Sequence, residues 1–222
     1  MPKNTFVKPQ KRRKVKKAKN VNARQNQRIK KLENIILPAV ERKSRDILAS
    51  AAPISTSGYA NQPMFQLEQG DGASQRIGDK VTLMSHNVTM SLASADDTNT
   101  IRIIWAFTPS TTALSITDVL QYGNYGVYGD QVFSSPYKKA AATAETTYRV
   151  LFDKVYHLKA DERVQTDKYQ LIPNKKGRQV QFNAVGSVMP ENYQLQILAI
   201  SDSAAVAHPT ISYVCRSYYI DL

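Results

Sequence analysis

Between residues 80 and 93 apolar and polar side chains alternate, with Val81 and Leu83 followed by Val88, Met90 and Leu92. A period of two puts these residues on one face of a strand. The parity changes from odd to even between Leu83 and Val88, which predicts a bulge near His86. Residues 100–107 form a shorter, more apolar run through Ile101, Ile103, Ile104 and Trp105. Residues 147–158 carry Tyr148, Val150, Phe152, Val155 and Tyr156, and residues 178–182, 193–200 and 210–220 complete the clear strands. Ile116, Val119 and Leu120 predict a short helix over 115–121. Six clear strands with room for eight, and no repeating strand–helix–strand unit, predict an all-β antiparallel sandwich or barrel. The jelly roll is one option among several.

The N-terminal part has a different period. Gln25, Ile29, Leu32, Ile35 and Ile36 recur at three- and four-residue steps, as on one face of a helix. Pro38 either kinks this helix or starts a second one. Val40, Ile47 and Leu48 continue a helical spacing, so an amphipathic helical segment is predicted over 21–49. Its narrow stripe (Ile29, Leu32 and Ile36) would pack on a symmetry-related copy, on the inner face of the body or within its own domain. Residues 1–20 hold too few apolar side chains to offset their ordering entropy and read as a disordered arm. Residues 50–78, rich in Ala, Ser, Gly, Pro and Gln, read as a linker and the start of the body, with the shell domain over 79–222. The loop 122–146 is long enough to be functional or to lie on an outer surface.

Charge sharpens this division. The chain of 222 residues has a net charge of +12. Residues 1–46 hold 16 Lys and Arg against 3 Asp and Glu, whereas the rest holds 14 against 15. A basic arm on a neutral body is the footprint of a polyanion-binding tail. The candidate nucleic-acid contacts are Lys3, Lys8, Lys11, Arg12, Arg13, Lys14, Lys16, Lys17, Lys19, Arg24, Arg28, Lys30 and Lys31. Phe6 is the single aromatic residue of residues 1–46, so contacts there are to phosphates rather than stacked bases. The run from Lys11 to Lys17 resembles a nuclear localisation signal and would engage host nuclear import machinery.

Other chemistry is sparse. The single cysteine, Cys215, allows no disulfide within the chain. The N-terminus shows no signal-peptide pattern, and no run approaches the ~20 apolar residues of a membrane span. His86, His157 and His208 have no Cys or second His at ligand spacing, which argues against zinc and against the His–acid–His cluster of a jelly-roll oxygenase. There is no phosphate-binding glycine loop and no nucleophile elbow, so an enzyme is not predicted. A cellular β-barrel nucleic-acid-binding protein with a basic tail is the competing reading. It calls for aromatic and basic residues interleaved on a strand face, and the Lys and Arg of this body are dispersed along the sequence.

Several segments carry a resemblance. Residues 69–80 read Gln-Gly-Asp-Gly-Ala-Ser-Gln-Arg-Ile-Gly-Asp-Lys and lead into Val81-Thr-Leu-Met-Ser-His86. Ile101-Arg-Ile-Ile-Trp105, Ile116-Thr-Asp-Val-Leu120, Arg149-Val-Leu-Phe-Asp153 and Tyr219-Ile-Asp-Leu222 follow in order. Together they resemble the coat proteins of the satellite tobacco necrosis virus family and those of small circular single-stranded DNA viruses. The resemblance implies an eight-stranded jelly roll and a homo-oligomeric icosahedral T=1 shell of roughly sixty copies. It implies a packaged single-stranded DNA or RNA genome, and a location in the virion, with assembly in the host nucleus or cytoplasm. Arms would gather near three-fold axes, which suits the stripe of Ile29, Leu32 and Ile36. It further implies calcium between subunits, at the carboxylates of Glu41 and Asp221 and the carbonyls of Ile77 and Lys80, with Asp71 at a second acidic site. Lys80 departs from that pattern by bringing a positive side chain. No other cofactor is implied.

Overall fold

The computed structural model describes residues 23–29, 31, 42–61, 64–109, 111, 113–138, 147–183, 186–204 and 207–221. The chain divides into two units, Met1–Glu41 and Arg42–Leu222. In the first, residues 23–29 and 31 are helical (α1), where the spacing predicts a helix. The expected disordered arm over 1–20 lies outside the described residues, as do Leu32 and Ile36.

The second unit contains β1 (Arg42–Pro53), β2 (Tyr59–Asn61), β3 (Lys80–Ala93), β4 (Thr98–Thr108), β5 (Arg149–Lys159), β6 (Val164–Leu171), β7 (Arg178–Gln181), β8 (Gln194–Ser201) and β9 (Thr210–Asp221). One sheet has the order β1-β9-β3-β6, with β7 beside β3, and the other has the order β2-β8-β4-β5. Every strand pairing is antiparallel. The chain alternates between the sheets in the double Greek-key order of a jelly roll, to which β7 adds a short extra strand.

The alternation of β3 works as its sequence suggests. Val81, Leu83, Val88, Met90 and Leu92 all enter the core. The register against β9 shifts between Leu83 and Ser85, and the consecutive residues Ser85 and His86 are both buried. Trp105, Phe107, Ile197 and Tyr213 join this cluster between the sheets. Each such fully buried apolar side chain contributes about 1.5–3 kcal/mol of transfer free energy.

The second sheet is covered on both faces. Ile104, Ala106, Leu198 and Ile200 point away from the central core into a second cluster. It is roofed by Leu114, by α2 (Ile116–Val119), and by Leu120 and Val132 of the segment that follows. That segment holds α3 (Tyr125–Tyr128) and a 3-10 helix (Gly129–Ser134). Arg102 of β4 fixes it. Its guanidinium donates to Val132 O at 2.8 Å and Ser135 O at 3.0 Å, and forks onto Asp153 of β5 at 3.0 and 2.6 Å. The first sheet differs, for β6 and β9 keep an alternating buried and exposed pattern. Its outer face is therefore open, with Leu48 and Val214 exposed among polar residues.

The structure corrects three expectations. The helical segment predicted through residue 49 gives way to strand at Arg42, and Ile47 and Leu48 lie in β1. Pairing with β9 over Arg42↔Ile220 to Pro53↔Thr210 supplies an edge that local spacing could not reveal. Residues 50–78 are not a linker: they complete β1, form β2, and bury Ile54, Met64, Phe65 and Leu67 in the core. The strand β6 was not anticipated because its sequence, Val-Gln-Thr-Asp-Lys-Tyr-Gln-Leu, is largely polar, as suits an edge strand.

Candidate nucleic-acid interface and the Lys43–Asp221 junction

Helix α1 carries Arg24, Arg28 and Lys31 at steps of four and three, which align on one face. All three are exposed and border one shallow surface with Gln25 and Gln27. Ile29, 51% exposed, lies about a quarter turn or more round from that face. Lys30 and the lysines and arginines from Lys3 to Lys19 lie outside the described residues. Three guanidinium and ammonium groups on one helical face can pair with successive phosphates without reading bases.

A second group of charges closes the end of the sandwich where β1 begins and β9 finishes. The Lys43 ammonium lies 3.3 Å from Asp221 Oδ2 and donates to Gln75 O at 3.1 Å. The Ile77 N–H donates to the same Asp221 oxygen at 2.6 Å, and Tyr219 OH donates to Gln75 O at 3.0 Å. Arg76, fully buried, extends the network. It donates to Gly78 O at 2.5 Å, Asp79 Oδ1 at 3.1 Å and Ser187 O at 2.9 Å, with its guanidinium 4.3 Å above the Phe182 ring. The segment Gln75-Arg76-Ile77-Gly78-Asp79 is thus stapled from several sides. Sequence reading marked Asp221 and Ile77 but missed Lys43. The signal was weak: one lysine in a basic stretch, at an inward position of a strand that was read as helix.

Inside the sandwich, His86 lies between Ser217 Oγ, 2.7 Å from Nδ1, and Tyr193 OH, 2.9 Å from Nε2. Burial pulls its imidazole down to about 3. The ring stacks on Tyr193 and meets Phe65 edge-on, so it is a satisfied core residue with no access for substrate. Cys215 is also buried, and burial pushes its thiol up to about 12.

The family model for the satellite tobacco necrosis virus coat protein matches residues 12–222. The chain belongs to that coat protein family. It is a viral coat protein, a component of the virion, and the match covers the whole of α1 and the whole β-sandwich. Among solved structures, a chain of desmodium yellow mottle tymovirus shares 10% identity, covering 81% of this chain and 87% of its own, at a TM-score of 0.35. A particle of infectious bursal disease virus, IBDV, shares 7% identity over 82% of this chain and 40% of its own, at a TM-score of 0.20. Scores this low carry no argument, and the assignment rests on the family model. No curated protein matches the chain. Membership of this coat protein family favours a structural over an enzymatic role, and favours the coat reading over a cellular nucleic-acid binder.

The coat-protein resemblance raises the question of calcium. Asp221 Oδ1 is buried and accepts no hydrogen bond, which would suit one cation ligand. Its other oxygen, however, already holds the Lys43 ammonium, both side chains being 3% and 5% exposed. Ile77 offers Asp221 its N–H and accepts at its carbonyl from Gln69 Nε2 at 3.2 Å. Asp71 and the Lys80 side chain are exposed, and Glu41 lies outside the described residues. Among the described residues no group of three His, Cys, Asp or Glu could hold a metal ion. A divalent ion at Asp221 would sit beside a fixed ammonium in a dry site, where like charges repel strongly. The residues present do not fit calcium at this position.

Proposed function

We propose that this coat protein self-assembles into a small icosahedral shell and packages a single-stranded genome through its basic N-terminal arm. The observation that carries this reading is the partition of charge. Residues 1–41, which precede the sandwich, bear 13 Lys and Arg against 2 Asp and Glu, and residues 42–222 bear 17 against 16. Neutralising phosphates releases condensed counterions and drives binding without sequence readout. Roughly sixty arms of this kind would supply on the order of 700 positive charges, enough for a genome of about a thousand nucleotides or fewer. The likeness to coat proteins of single-stranded DNA viruses and the nuclear-localisation-like run from Lys11 to Lys17 are consistent with assembly in a nucleus. Lys43 in place of a divalent ion makes the shell independent of calcium at Asp221.

The test compares the full chain with a version lacking residues 1–20, which leaves α1 and β1 intact. Both are imaged by negative-stain electron microscopy, with the ratio of absorbance at nucleic-acid and protein wavelengths recorded. Uniform small shells from both, with much less nucleic acid in the truncated chain, is the expected result. A full chain that stays monomeric across salt conditions overturns the proposal.

A further inference from the structure

The two sheets of the sandwich differ in what covers them. The outer face of β2-β8-β4-β5 is roofed, and all of β8 is buried. The outer face of β1-β9-β3-β6 is open, and folding gathers there basic residues that are scattered in the sequence. Outward positions carry Arg42 on β1, Arg216 on β9, Lys80 on β3 and Lys168 on β6. Asp46, on the same face, is held by Arg216 in a two-pronged pair at 2.7 and 2.6 Å. The two charges cancel each other, which leaves Arg42, Lys80 and Lys168 as the basic positions of this face.

One half of this face is a groove of about 470 Å³, bordered by Arg42, Met84, Asn87, Gln170, Lys175 and Tyr218. The register explains the grouping. Tyr218 lies opposite Ser44 of β1 and Ser85 of β3, and Asn87 lies opposite Gln170 of β6. The bulge between Leu83 and Ser85 separates Met84 from Asn87, which brings both to the open side. Arg42 of the edge strand β1 and Lys175, in the connection that follows the opposite edge strand β6, both line the groove, as do the Tyr218 ring, the Met84 thioether, two carboxamides, Ser85 and Ile172.

We infer that this groove is a nucleotide-binding subsite for the packaged single strand, separate from the arm. Arg42 and Lys175 pair with phosphates on either side. A base lies on the Tyr218 ring and Met84, and the amides of Asn87 and Gln170 meet its edge. Aromatic stacking tolerates any base, and amides can both donate and accept, so the subsite takes single-stranded nucleic acid with little sequence preference. Arg42 directly follows the basic arm in the chain, so a strand gathered by the arm is at high effective concentration for the groove. This rests on the packaging proposal and adds a body contact that stacks, which the arm with Phe6 alone does not offer.

The test uses particles of the full chain with their packaged nucleic acid. They are irradiated with ultraviolet light, digested with nuclease and trypsin, and analysed by mass spectrometry. Trypsin cuts after Arg216, so an adduct on Tyr218 appears in peptide 217–222, and fragment spectra separate it from the buried Tyr219. We expect a nucleotide adduct at position 218, both in the wild-type chain and in Tyr218→Phe, whose ring still stacks. In the paired variant Arg42→Gln, Lys175→Gln the yield should fall roughly fivefold or more, with arm adducts unchanged. Adducts confined to the arm in wild-type particles overturn the subsite and leave the packaging proposal standing. Particles free of nucleic acid overturn both. A paired variant that still binds single-stranded nucleic acid normally but loses assembly identifies the groove as a contact between copies and overturns the subsite.

Discussion

The ammonium of Lys43, near the start of the first strand, lies 3.3 Å from the carboxylate of Asp221 at the end of the last. Both side chains are almost wholly withdrawn from water, so each depends on the other for its charge to be tolerated. The pair ties both ends of the sandwich to the Gln75–Ile77 segment through Gln75 O and the Ile77 N–H.

Lys43→Met is expected to leave a buried, unpaired carboxylate and to lower stability by about 3–5 kcal/mol. Adding Asp221→Asn should restore much of the loss, because a neutral amide tolerates burial better. Denaturant unfolding of the single and double variants measures the coupling. Wild-type shells should keep their diameter in a chelator, as followed by light scattering. Swelling on chelation would show that a divalent ion, not Lys43, closes this junction.

The core imidazole sets a pH dependence. His86 is neutral in the fold and about 3 there, against an ordinary value of 6.5 for the unfolded chain. The unfolded state therefore binds more protons between these values, and stability falls as pH drops through that window. The contribution is complete above about pH 6.5, and its loss by pH 4 is on the order of 3 kcal/mol. Melting temperatures from pH 7 to pH 4 should decline steeply, and His86→Leu should flatten the decline over that range. An unchanged slope in His86→Leu would place the acid sensitivity elsewhere.

Arg102 is the bolt of the roof over the second sheet. Arg102→Met removes two bonds to the 3-10 segment and leaves Asp153 with only the Tyr137 hydroxyl, which donates to it at 2.6 Å. Amide hydrogen exchange should accelerate across residues 129–137 while β3 and β9 stay protected. Equal acceleration everywhere would mean that Arg102 supports the whole sandwich rather than the roof.

The basic face of α1 should show in the salt dependence of binding. Replacing Arg24, Arg28 and Lys31 by glutamine removes up to three phosphate contacts. For a single-stranded oligonucleotide the slope of log affinity against log salt should flatten by about 2. Fluorescence anisotropy at a series of salt concentrations gives the slope, and an unaltered slope would exclude the helix from the interface.

The sequence showed strands wherever the core imposed its own alternation. β3, β4, β8 and β9 carry enough apolar residues to declare both their period and their limits. β1 did not, because only Ile47, Ala49 and Ala52 of its residues pack on the core and its basic half continued the rhythm of the preceding helix. Of the anticipated contacts, Arg24, Arg28 and Lys31 share one face of α1, an alignment the sequence reading did not draw. The junction and the open-face groove were illegible for a different reason. Lys43 meets Asp221 across 178 positions, and Arg42 and Tyr218 border one groove only once β1 and β9 have paired. Arg76 shows the same limit: its motif was recognisable, but its complete burial beneath Phe182 depends on a distant strand.

The place of β9 between β1 and β3 also dictates a schedule. The first strand to leave the ribosome has no neighbour until residues some 170 positions later have been made. Until then β1 and β3 expose unpaired edges, and the open face with its groove does not exist. Such non-local closure makes folding slow and largely post-translational, so nascent chains need protection from pairing with one another. It also means that the open face is completed only in finished subunits, after the last strand has been made.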